Sequence, residues 1–499
     1  MFEGLLQGLL TVIEPFHLLM LILAVVIGFL GGAMPGISGA MLVVILLPIT
    51  YGMESVPAFL LLTSIYAAAV FSGMITAILF RTPGTPEAVA TVFDGYPMAQ
   101  KGQAGRALGI GILSSSLGGI IGTLFLIFLT PVLANVALQF SSAEYFALAV
   151  LGLTVVASLS GGDLIRGGIG VLIGLFVATV GIDPISGTHR FTFGSIELQS
   201  GIQLVPVLIG LFAIPEVLKK ARESTEVKEK IERFRTKIFE WSFFKRIYKT
   251  IARSSLLGVF IGILPGIGAT TASMVSYGEA VRWSKTPEKF GTGVPEGIAA
   301  PESANNSAAM GAMVPLLSLG IPGSATTAVI LGAFVLHGLQ PGPMLFTMQP
   351  ELVYTIFVGL LIVNVSILFL AKPFISAFSH TVKIPYSIMG PLIIIFCFIG
   401  TFAVRNSMVD VLVMFISGLI GYYFEKIKFP VVTIILGIVL GPMAEEEFRR
   451  ALQIANGDVT VFLTRPISVT LLALAVIVLL FPLYKEYISG KKKKDATMS

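Results

Sequence analysis

Charge is what this sequence has least of. Only 12% of its 499 residues are Asp, Glu, Lys or Arg, whereas 55% are hydrophobic, and the mean hydropathy is +0.91. A soluble domain carries about 25% charged residues. The deficit excludes a disordered chain, a nucleic-acid-binding domain and nearly every soluble enzyme, so we expect no nucleic acid among the partners.

Residues and motifs that membrane enzymes need are also scarce. The single cysteine, Cys397, forms no internal disulfide, and none of the four histidines stands in a His-Glu-x-x-His zinc motif. Ser160-Gly161-Gly162-Asp163 lacks the first glycine of the Gly-x-Gly-Asp motif of aspartyl membrane proteases, and no nucleotide-binding Gly-x-x-x-x-Gly-Lys-[Ser/Thr] motif occurs. We therefore expect neither an enzyme, nor a pump driven by ATP on this chain, nor a resident cofactor.

Long apolar runs take the place of amphipathic stripes. Examples are residues 18–30, 110–129 and 468–483. A helix that crosses a bilayer needs about 20 mostly apolar residues, and the chain has room for roughly ten to twelve of them. The sequence predicts an all-α polytopic membrane protein embedded in a lipid bilayer.

The basic residues are concentrated in two places. Twelve of the 33 Lys and Arg residues lie between Lys219 and Arg253, and a second cluster ends at Lys491–Lys494. Both clusters should face the cytoplasm by the positive-inside rule. We divide the chain into a first membrane repeat (1–217), a basic cytoplasmic linker (218–253), a second membrane repeat (254–485) and a basic cytoplasmic tail (486–499).

Two motifs recur in both halves. The stretch from Gly28 to Gly36, which ends in Pro-Gly, aligns with Gly258 to Gly266 at an offset of 230 residues; Pro83-Gly84 and Pro322-Gly323 form a second pair. Proline and glycine interrupt helices. Paired broken or re-entrant helices at matching places are typical of inverted-repeat secondary transporters, whose substrate site lies at the repeat interface. The competing interpretation is packing kinks without a ligand, and the orientation of the repeats stays open.

The residues around the breaks are of types that bind an anion rather than types that catalyse a reaction. Helices that restart after Pro-Gly offer free amides and a positive dipole end, and nearby hydroxyl and amide side chains add donors. The predicted substrate-binding residues are Gly36, Ser38, Arg81, Thr82, Gly84, Thr85, Asn305, Asn306, Gly323, Ser324 and Thr326. Asn305, Asn306 and Ser307 are candidate sodium ligands. Arg81 has a competing role as a positive-inside flank, and Glu302 is either a proton or cation site or part of a polar loop.

Several longer motifs resemble the large permease subunit of the tripartite tricarboxylate transporters. They are Gly32–Gly36, Pro83–Pro86 with Asp94–Met98 and Lys101–Leu108, Pro301–Asn306 with Gly320–Ser324, and Gly338–Met344. One departure is Arg81, where the family pattern commonly has a small amide residue.

This resemblance covers about the whole chain and implies a function. It implies a multi-pass symporter of the bacterial or archaeal cytoplasmic membrane that imports small di- or tricarboxylates, with Na⁺ or H⁺ as the coupling ion. It also implies two partners, an extracytoplasmic solute-binding protein and a small four-helix membrane subunit. The alternatives that the residues leave open are an uncoupled carboxylate channel, a structural membrane subunit and, with less support, an intramembrane enzyme.

Overall fold

The computed structural model describes residues 1–159, 163–222, 241–381 and 386–480. Residues 223–240 of the predicted linker, the glycines of Ser160-Gly161-Gly162-Asp163 and the whole predicted tail (486–499) lie outside the described residues. The described chain is almost entirely helical, and its strands are limited to one short antiparallel pair. The prediction of an all-α protein is confirmed.

The chain forms two compact units. Unit 1 comprises Met1–Asn135 and Leu208–Tyr422, and unit 2 comprises Val136–Val207 and Tyr423–Ser499. These units group the chain by packing, whereas the predicted halves group it by sequence repeat. The prediction of two sequential halves stays a prediction.

Unit 1 contains most of the helices. They are α1 (Phe2–Ile13), α2 (Pro15–Gly32), α3 (Gly39–Leu46), α4 (Ser55–Phe80), α5 (Val92–Met98), α6 (Ala104–Ala137, which ends in unit 2), α9 (Leu204–Arg222, which begins in unit 2), α10 (Trp241–Ile263), α11 (Gly268–Trp283), α12 (Glu296–Leu319), α13 (Ala325–Leu336), α14 (Leu345–Met348), α15 (Pro350–Thr381), α16 (Tyr386–Arg405) and α17 (Met408–Lys426, which also ends in unit 2). Short 3₁₀ turns follow α3 at Leu47–Gly52 and precede α5 at Pro86–Ala88.

Unit 2 is smaller. It contains α7 (Ser142–Leu159), α8 (Leu164–Ala178), the strands β1 (Gly181–Ile182) and β2 (His189–Arg190), α18 (Val431–Ile454), α19 (Val461–Thr464) and α20 (Pro466–Leu480). Its apolar core includes Ala143, Ala451 and Phe462, against which Phe146 and Phe448 pack. The rings of Phe448 and Phe462 are stacked 5.3 Å apart.

The described helices are apolar enough for a bilayer. Five of them have the length and composition of membrane spans: Pro15–Gly32, Ser55–Phe80, Val92–Ala137 (which runs through α5 and α6), Pro350–Ser376 and Met408–Lys426. Seven shorter apolar helices accompany them, and many large apolar side chains are exposed, Phe260 and Phe369 among them. The chain is therefore a multi-pass membrane protein; the count of ten to twelve spans stays a prediction.

Helices α4 and α12 form the centre of unit 1. Every residue from Pro57 to Ile78 and from Gly297 to Ser318 is buried. A helix buried on all sides lacks a polar face for solvent. Small residues on both helices allow neighbouring helices to approach closely. The helix breaks described below pack against these two central helices.

The sequence repeat has an atomic counterpart. A methyl group added to Gly28 would fall on Ala68 and the carbonyl of Ile65, and one added to Gly258 would fall on Ser307 and the carbonyl of Ala304. The α12 partners lie 239 positions after the α4 partners. Both central helices also end in a left-handed residue, Arg81 on α4 and Gly320 on α12, with the same offset. The α2–α4 and α10–α12 pairs therefore pack through the same set of positions.

A charged cluster fixes the β1–β2 hairpin within unit 2. Arg190 donates to both carboxylate oxygens of Glu445, at 3.0 and 2.8 Å, and Arg449 donates to Asp183 Oδ2 at 2.8 Å. Arg190 also pairs with Asp183. The hydrogen bond from Arg449, with further bonds from Ser186, holds the pKa of Asp183 well below its usual range.

The close glycine packing predicts a stability difference between two matched substitutions. Gly262→Ala would place its methyl group on the backbone of Ala308, whereas the added methyl group of Gly278→Ala has no atom within 4 Å. Overpacking costs about 1–3 kcal/mol, and alanine in an open helix position stabilises by about 0.5–1 kcal/mol. Gly262→Ala should lower the thermal midpoint of the detergent-purified protein, and Gly278→Ala should hold or raise it; equal midpoints would contradict the packing.

The hairpin predicts a pH-dependent loss of order. Because the folded pKa of Asp183 is depressed, its ion pairs stabilise the hairpin above the unfolded pKa of about 3.9 and cease to do so as the pH falls through the lower folded pKa. Asp183→Asn should raise hydrogen exchange in residues 181–190 at neutral pH and remove the acid dependence. Unchanged exchange in this variant at neutral pH would show that the hairpin does not depend on these pairs.

Candidate functional site

The first break separates α2 from α3. Gly36 has φ +88°, and Ser38 caps α3 by accepting a hydrogen bond from the amide of Met41 at 3.1 Å. A side chain at Gly36 would meet the flexible ends of Lys220 and Glu216 on α9, and it is the positive φ that favours glycine here. Helix α3 thus begins with a defined cap at the break.

The second break of the first half packs against the first. The amide of Gly84 donates to the carbonyl of Gly73 on α4 at 3.0 Å, and a side chain at Gly84 would fall on the carbonyl of Gly32. The second half repeats the close approach of the two breaks, with a different hydrogen bond. The amide of Gly266 donates to the carbonyl of Gly323 at 3.1 Å, and a side chain at Gly323 would fall on the carbonyl of Gly262.

Helix α13 begins with a complete capping box. Ser324 Oγ accepts from the amide of Thr327, and Thr327 Oγ1 accepts from the amide of Ser324 at 2.8 Å. The hydroxyl of Tyr66, on α4, lies 3.4 Å from Ser324 Oγ. The two halves therefore touch through a buried pair of hydroxyl groups.

The first turns of α3 and α13 lie side by side. A methyl group on Gly39, the first residue of α3, would be 3.6 Å from the ring of Tyr66 and 3.9 Å from Thr326 Oγ1. Both N-termini, each with a serine cap, thus meet beside one buried tyrosine. Two positive dipole ends in one place form a setting that favours an anion.

A second group of polar residues lies next to the Pro83-Gly84 break. Thr85 is 1% exposed, and its hydroxyl and Glu87 Oε2 make no hydrogen bond of normal geometry, although the two side chains are close enough to interact. Asn305 is fully buried on α12 and donates to the backbone carbonyl of Glu87 at 3.2 Å. Buried polar groups without a well-formed hydrogen bond are rare, and each calls for an explanation such as a bound water or ion.

Glu302 lies inside α12 and not in the polar loop that precedes it. It is fully buried; Thr91 donates to its Oε1, and Ser115 donates to its Oε2 at 2.8 Å. The polar-loop interpretation is therefore wrong, because Glu302 is packed within a helix of unit 1. The interpretation as a proton or cation site stays a prediction.

Two of the candidate sodium ligands, Asn305 and Asn306, are in contact, whereas Ser307 faces another helix. Asn306 donates to Asn305 Oδ1 at 2.8 Å and to the carbonyl of Glu302, whereas Ser307 donates to Ala304 and packs against Gly258 of α10. Successive residues of an α-helix point about 100° apart, which turns Ser307 away from Asn305. No cluster of three or more His, Cys, Asp or Glu residues suited to a metal occurs in the described ranges. The sodium assignment stays a prediction.

Arg81 and Thr82 lie apart from the buried groups. Both are exposed; the Arg81 guanidinium lies 5.9 Å from the ring centre of Tyr96, and the hydroxyl of Thr82 donates to the carbonyl of Phe80. Of the other predicted residues, Gly84, Thr85, Asn305, Asn306, Gly323, Ser324 and Thr326 are buried, and Gly36 and Ser38 are half-buried. The substrate-binding assignments themselves stay predictions.

Sequence reasoning missed three residues of this region. Tyr66 lies within an apolar run, and Thr91 and Ser115 stand among small residues, so no motif distinguishes them.

Asp94 is fully buried and accepts from the amides of Gly291, Gly293 and Val294 at 2.7 to 3.0 Å. It therefore has the loop-capping role that its position in a Gly-rich motif suggests.

The packing and the comparisons identify the class and then the family. A multi-pass membrane protein with paired broken helices, packed in two equivalent ways around buried polar groups, has the architecture typical of secondary transporters. The model of the tripartite tricarboxylate transporter TctA family matches residues 18–436, and the chain belongs to that family. It is therefore a membrane component of a tricarboxylate transporter, one part of a system with partner subunits.

The chain is also similar to two proteins of Agrobacterium vitis. One, described as an uncharacterized 52.8 kDa protein in the TAR-I ttuC′ 3′ region, is 38% identical over 478 residues, which is 95% of each chain. The other, an uncharacterized protein in the TAR-II ttuC′ 3′ region, is 42% identical over 238 residues, 48% of this chain and 97% of its own. No solved structure matches the chain.

The contacts of Asp94 predict a large loss of stability on its removal. Asp94→Ala leaves three backbone amides and the Tyr277 hydroxyl without their acceptor. The buried Val294 amide alone costs about 1–3 kcal/mol, and the half-buried Gly293 amide and Tyr277 hydroxyl add to this cost. We expect a sharp fall in monodisperse protein by size-exclusion chromatography. Asp163→Ala, which removes a more exposed cap of α8, should cost only about 0.5–2 kcal/mol. Equal yields of the two variants would contradict the role of Asp94.

Proposed function

We propose that this chain is a cation-coupled symporter that imports small di- or tricarboxylates across the cytoplasmic membrane of a bacterium or archaeon. The substrate is held between the broken helices of the two repeats, and Na⁺ or H⁺ drives its uptake. The observation that carries the proposal is the meeting of the α3 and α13 N-termini beside Tyr66.

The groups at this meeting point are donors that suit a carboxylate. Ser38, Ser324 and Tyr66 carry hydroxyls, and the first turns of α3 and α13 add amides that have no partner within their own helix. Hydrogen bonds to a charged acceptor are about twice as strong as neutral ones. A second carboxylate of the same substrate would find Thr85 and Asn305 at the neighbouring break.

The charges nearby support coupling to a cation. Glu87 and Glu302 flank Asn305, and within the described part of the chain neither forms an ion pair with Lys, Arg or His. Bringing an anion into a poorly solvated region that already contains carboxyl groups is costly unless a positive charge accompanies it. A symported proton or sodium ion supplies that charge.

The partner proteins belong to the proposal as well. Membership of a tripartite transporter family supports two partners. One is an extracytoplasmic solute-binding protein that delivers the substrate, and the other is a small four-helix membrane subunit beside this chain.

The proposal predicts gradient-driven uptake that depends on the paired N-termini. Proteoliposomes that contain this chain should accumulate radiolabelled citrate, succinate or malate when an inward Na⁺ or H⁺ gradient is imposed. Tyr66→Phe and Ser324→Ala should each raise KM about tenfold or more. A hydrogen bond to a charged group contributes about 1.5–3 kcal/mol, and about 1.4 kcal/mol corresponds to a tenfold change in affinity. Ser318→Ala is the matched control, because that buried hydroxyl bonds only to Val314 within α12.

The outcomes separate the candidate functions. Uptake that only equilibrates, whatever the gradient, would indicate an uncoupled channel. If the chain alone takes up nothing, addition of the solute-binding protein encoded beside it distinguishes a missing partner from a wrong substrate class. A wild-type KM in both Tyr66→Phe and Ser324→Ala would place the substrate elsewhere.

A further inference from the structure

The first half of α10 presents basic and aromatic side chains on one exposed face. Trp241, Lys245, Tyr248 and Lys249 are exposed, and their spacings of three and four residues place them next to one another along the helix. The Lys245 ammonium lies 5.5 Å from the ring centre of Trp241, and the Lys249 ammonium lies 5.9 Å from that of Tyr248. Both cations therefore lie beside exposed aromatic rings at the surface of unit 1.

No carboxylate of the described residues pairs with either lysine. The charged residues around them have other partners: Arg246 pairs with Glu296, Arg253 lies 5.0 Å from the ring centre of Trp283, and Glu279 pairs with Arg282 and accepts from Trp283. Over the described ranges, this end of α10 thus carries more positive than negative charge. An anion that binds here can neutralise the two lysines.

The same exposed face becomes apolar further along the helix. Leu256, Phe260 and Leu264 are exposed and follow one another at intervals of four residues, and Phe260 is 65% exposed. At 1.5 Å per residue, the ridge from Leu256 to Leu264 is about 12 Å long. One leaflet is half of a hydrocarbon core that is about 30 Å thick. The ridge therefore has roughly the length of the acyl chains of a single leaflet.

A phospholipid with a net negative headgroup has its chemical groups in the same order. Clusters of Lys and Arg on the cytoplasmic side of a membrane protein attract anionic headgroups. Trp and Tyr side chains are enriched at the level of the headgroups, and an apolar ridge below them suits acyl chains. A soluble anion would contact only the charged end of this face and would leave Leu256 and Phe260 uncovered. The succession from basic to aromatic to apolar side chains therefore favours a lipid.

We propose that the exposed face of α10 binds an anionic phospholipid of the cytoplasmic leaflet. The ammonium groups of Lys245 and Lys249 contact the phosphate, and the acyl chains run along Leu256 and Phe260. This site lies on the outer surface of unit 1, apart from the buried N-termini of α3 and α13. Lipid binding here requires neither a transported substrate nor a coupling ion, so its test is independent of the proposed function.

The test is photo-crosslinking of the full-length protein in nanodiscs. Two probes carry the same diazirine-labelled acyl chain and differ only in the headgroup, which is phosphatidylglycerol in one and phosphatidylcholine in the other. In the wild type, the phosphatidylglycerol probe should label residues 252–264 about thirtyfold more than the phosphatidylcholine probe, since each lysine near an anionic membrane surface contributes about 1 kcal/mol. Exposed apolar residues around Phe128 of α6, a helix without Lys or Arg after Arg106, should show no preference.

Matched variants assign the headgroup preference to the two lysines. Lys245→Gln combined with Lys249→Gln should bring the labelling ratio at residues 252–264 close to one. Lys245→Arg combined with Lys249→Arg keeps both charges and should keep the preference. The control is Lys285→Gln combined with Lys289→Gln, which removes the same charge from exposed positions after α11 and should leave the ratio unchanged. All of these side chains are exposed, so the fold should tolerate each change.

Each remaining outcome overturns the inference in its own way. Equal labelling of residues 252–264 by both probes in the wild type would show that the face does not select an anionic headgroup. An unchanged preference in the double glutamine variant would assign the selectivity to other groups. Competition by inorganic phosphate as effective as that by unlabelled phosphatidylglycerol would assign the lysines to a soluble anion. A face that neither probe labels, with two copies of the chain cross-linked through α10, would show that another protomer covers it.

Discussion

Backbone amides and carbonyls inside a bilayer must find partners within the protein. A Pro-Gly step in an apolar helix removes an intrahelical hydrogen bond, and four of the five Pro-Gly steps of this chain stand at the paired breaks. The structure meets the requirement by packing each break on another segment. Gly84 donates to Gly73, Gly266 donates to Gly323, and a capping box closes the start of α13. The rest of unit 1 follows from this need for close approach.

Close approach explains the glycine ridges and the burial of α4 and α12. Gly32 and Gly262 contact the two central helices at equivalent places, and a methyl group at either would collide with backbone atoms. The same packing leaves helix N-termini, hydroxyls and two acidic residues in a region shielded from lipid. In the proposed function, fold and substrate binding depend on the same feature, since breaks that are costly in lipid supply the amide donors that a polar substrate needs.

The sequence alone predicted much of this arrangement. The apolar runs predicted the helical membrane protein, and the spacing of Gly28, Gly36 and their counterparts predicted two equivalent pairs of breaks, because small-residue spacing on one helix face is visible without coordinates. The motif resemblance identified the family correctly. Ser324 and Thr85 were predicted to bind substrate from their positions beside Pro-Gly steps, and that role stays a prediction.

Other features depend on tertiary contacts that no local pattern records. The exposure of Arg81 arises from a left-handed helix end, and the hydroxyl partners of Glu302 come from segments separated from it by about two hundred residues. Tyr66 resembles any aromatic residue of a buried helix until its distance to Ser324 is known. The two packing units are likewise built from segments that are distant in sequence.

The central claim is that a carboxylate binds where α3 and α13 begin. The most direct measurement is a cryo-electron microscopy structure of the purified chain with citrate, compared with the same preparation without it. The account predicts citrate-dependent density beside Ser38, Ser324 and Tyr66, with carboxylate oxygens facing the first amides of both helices. Citrate density elsewhere in the protein, with this region unchanged, would contradict the account.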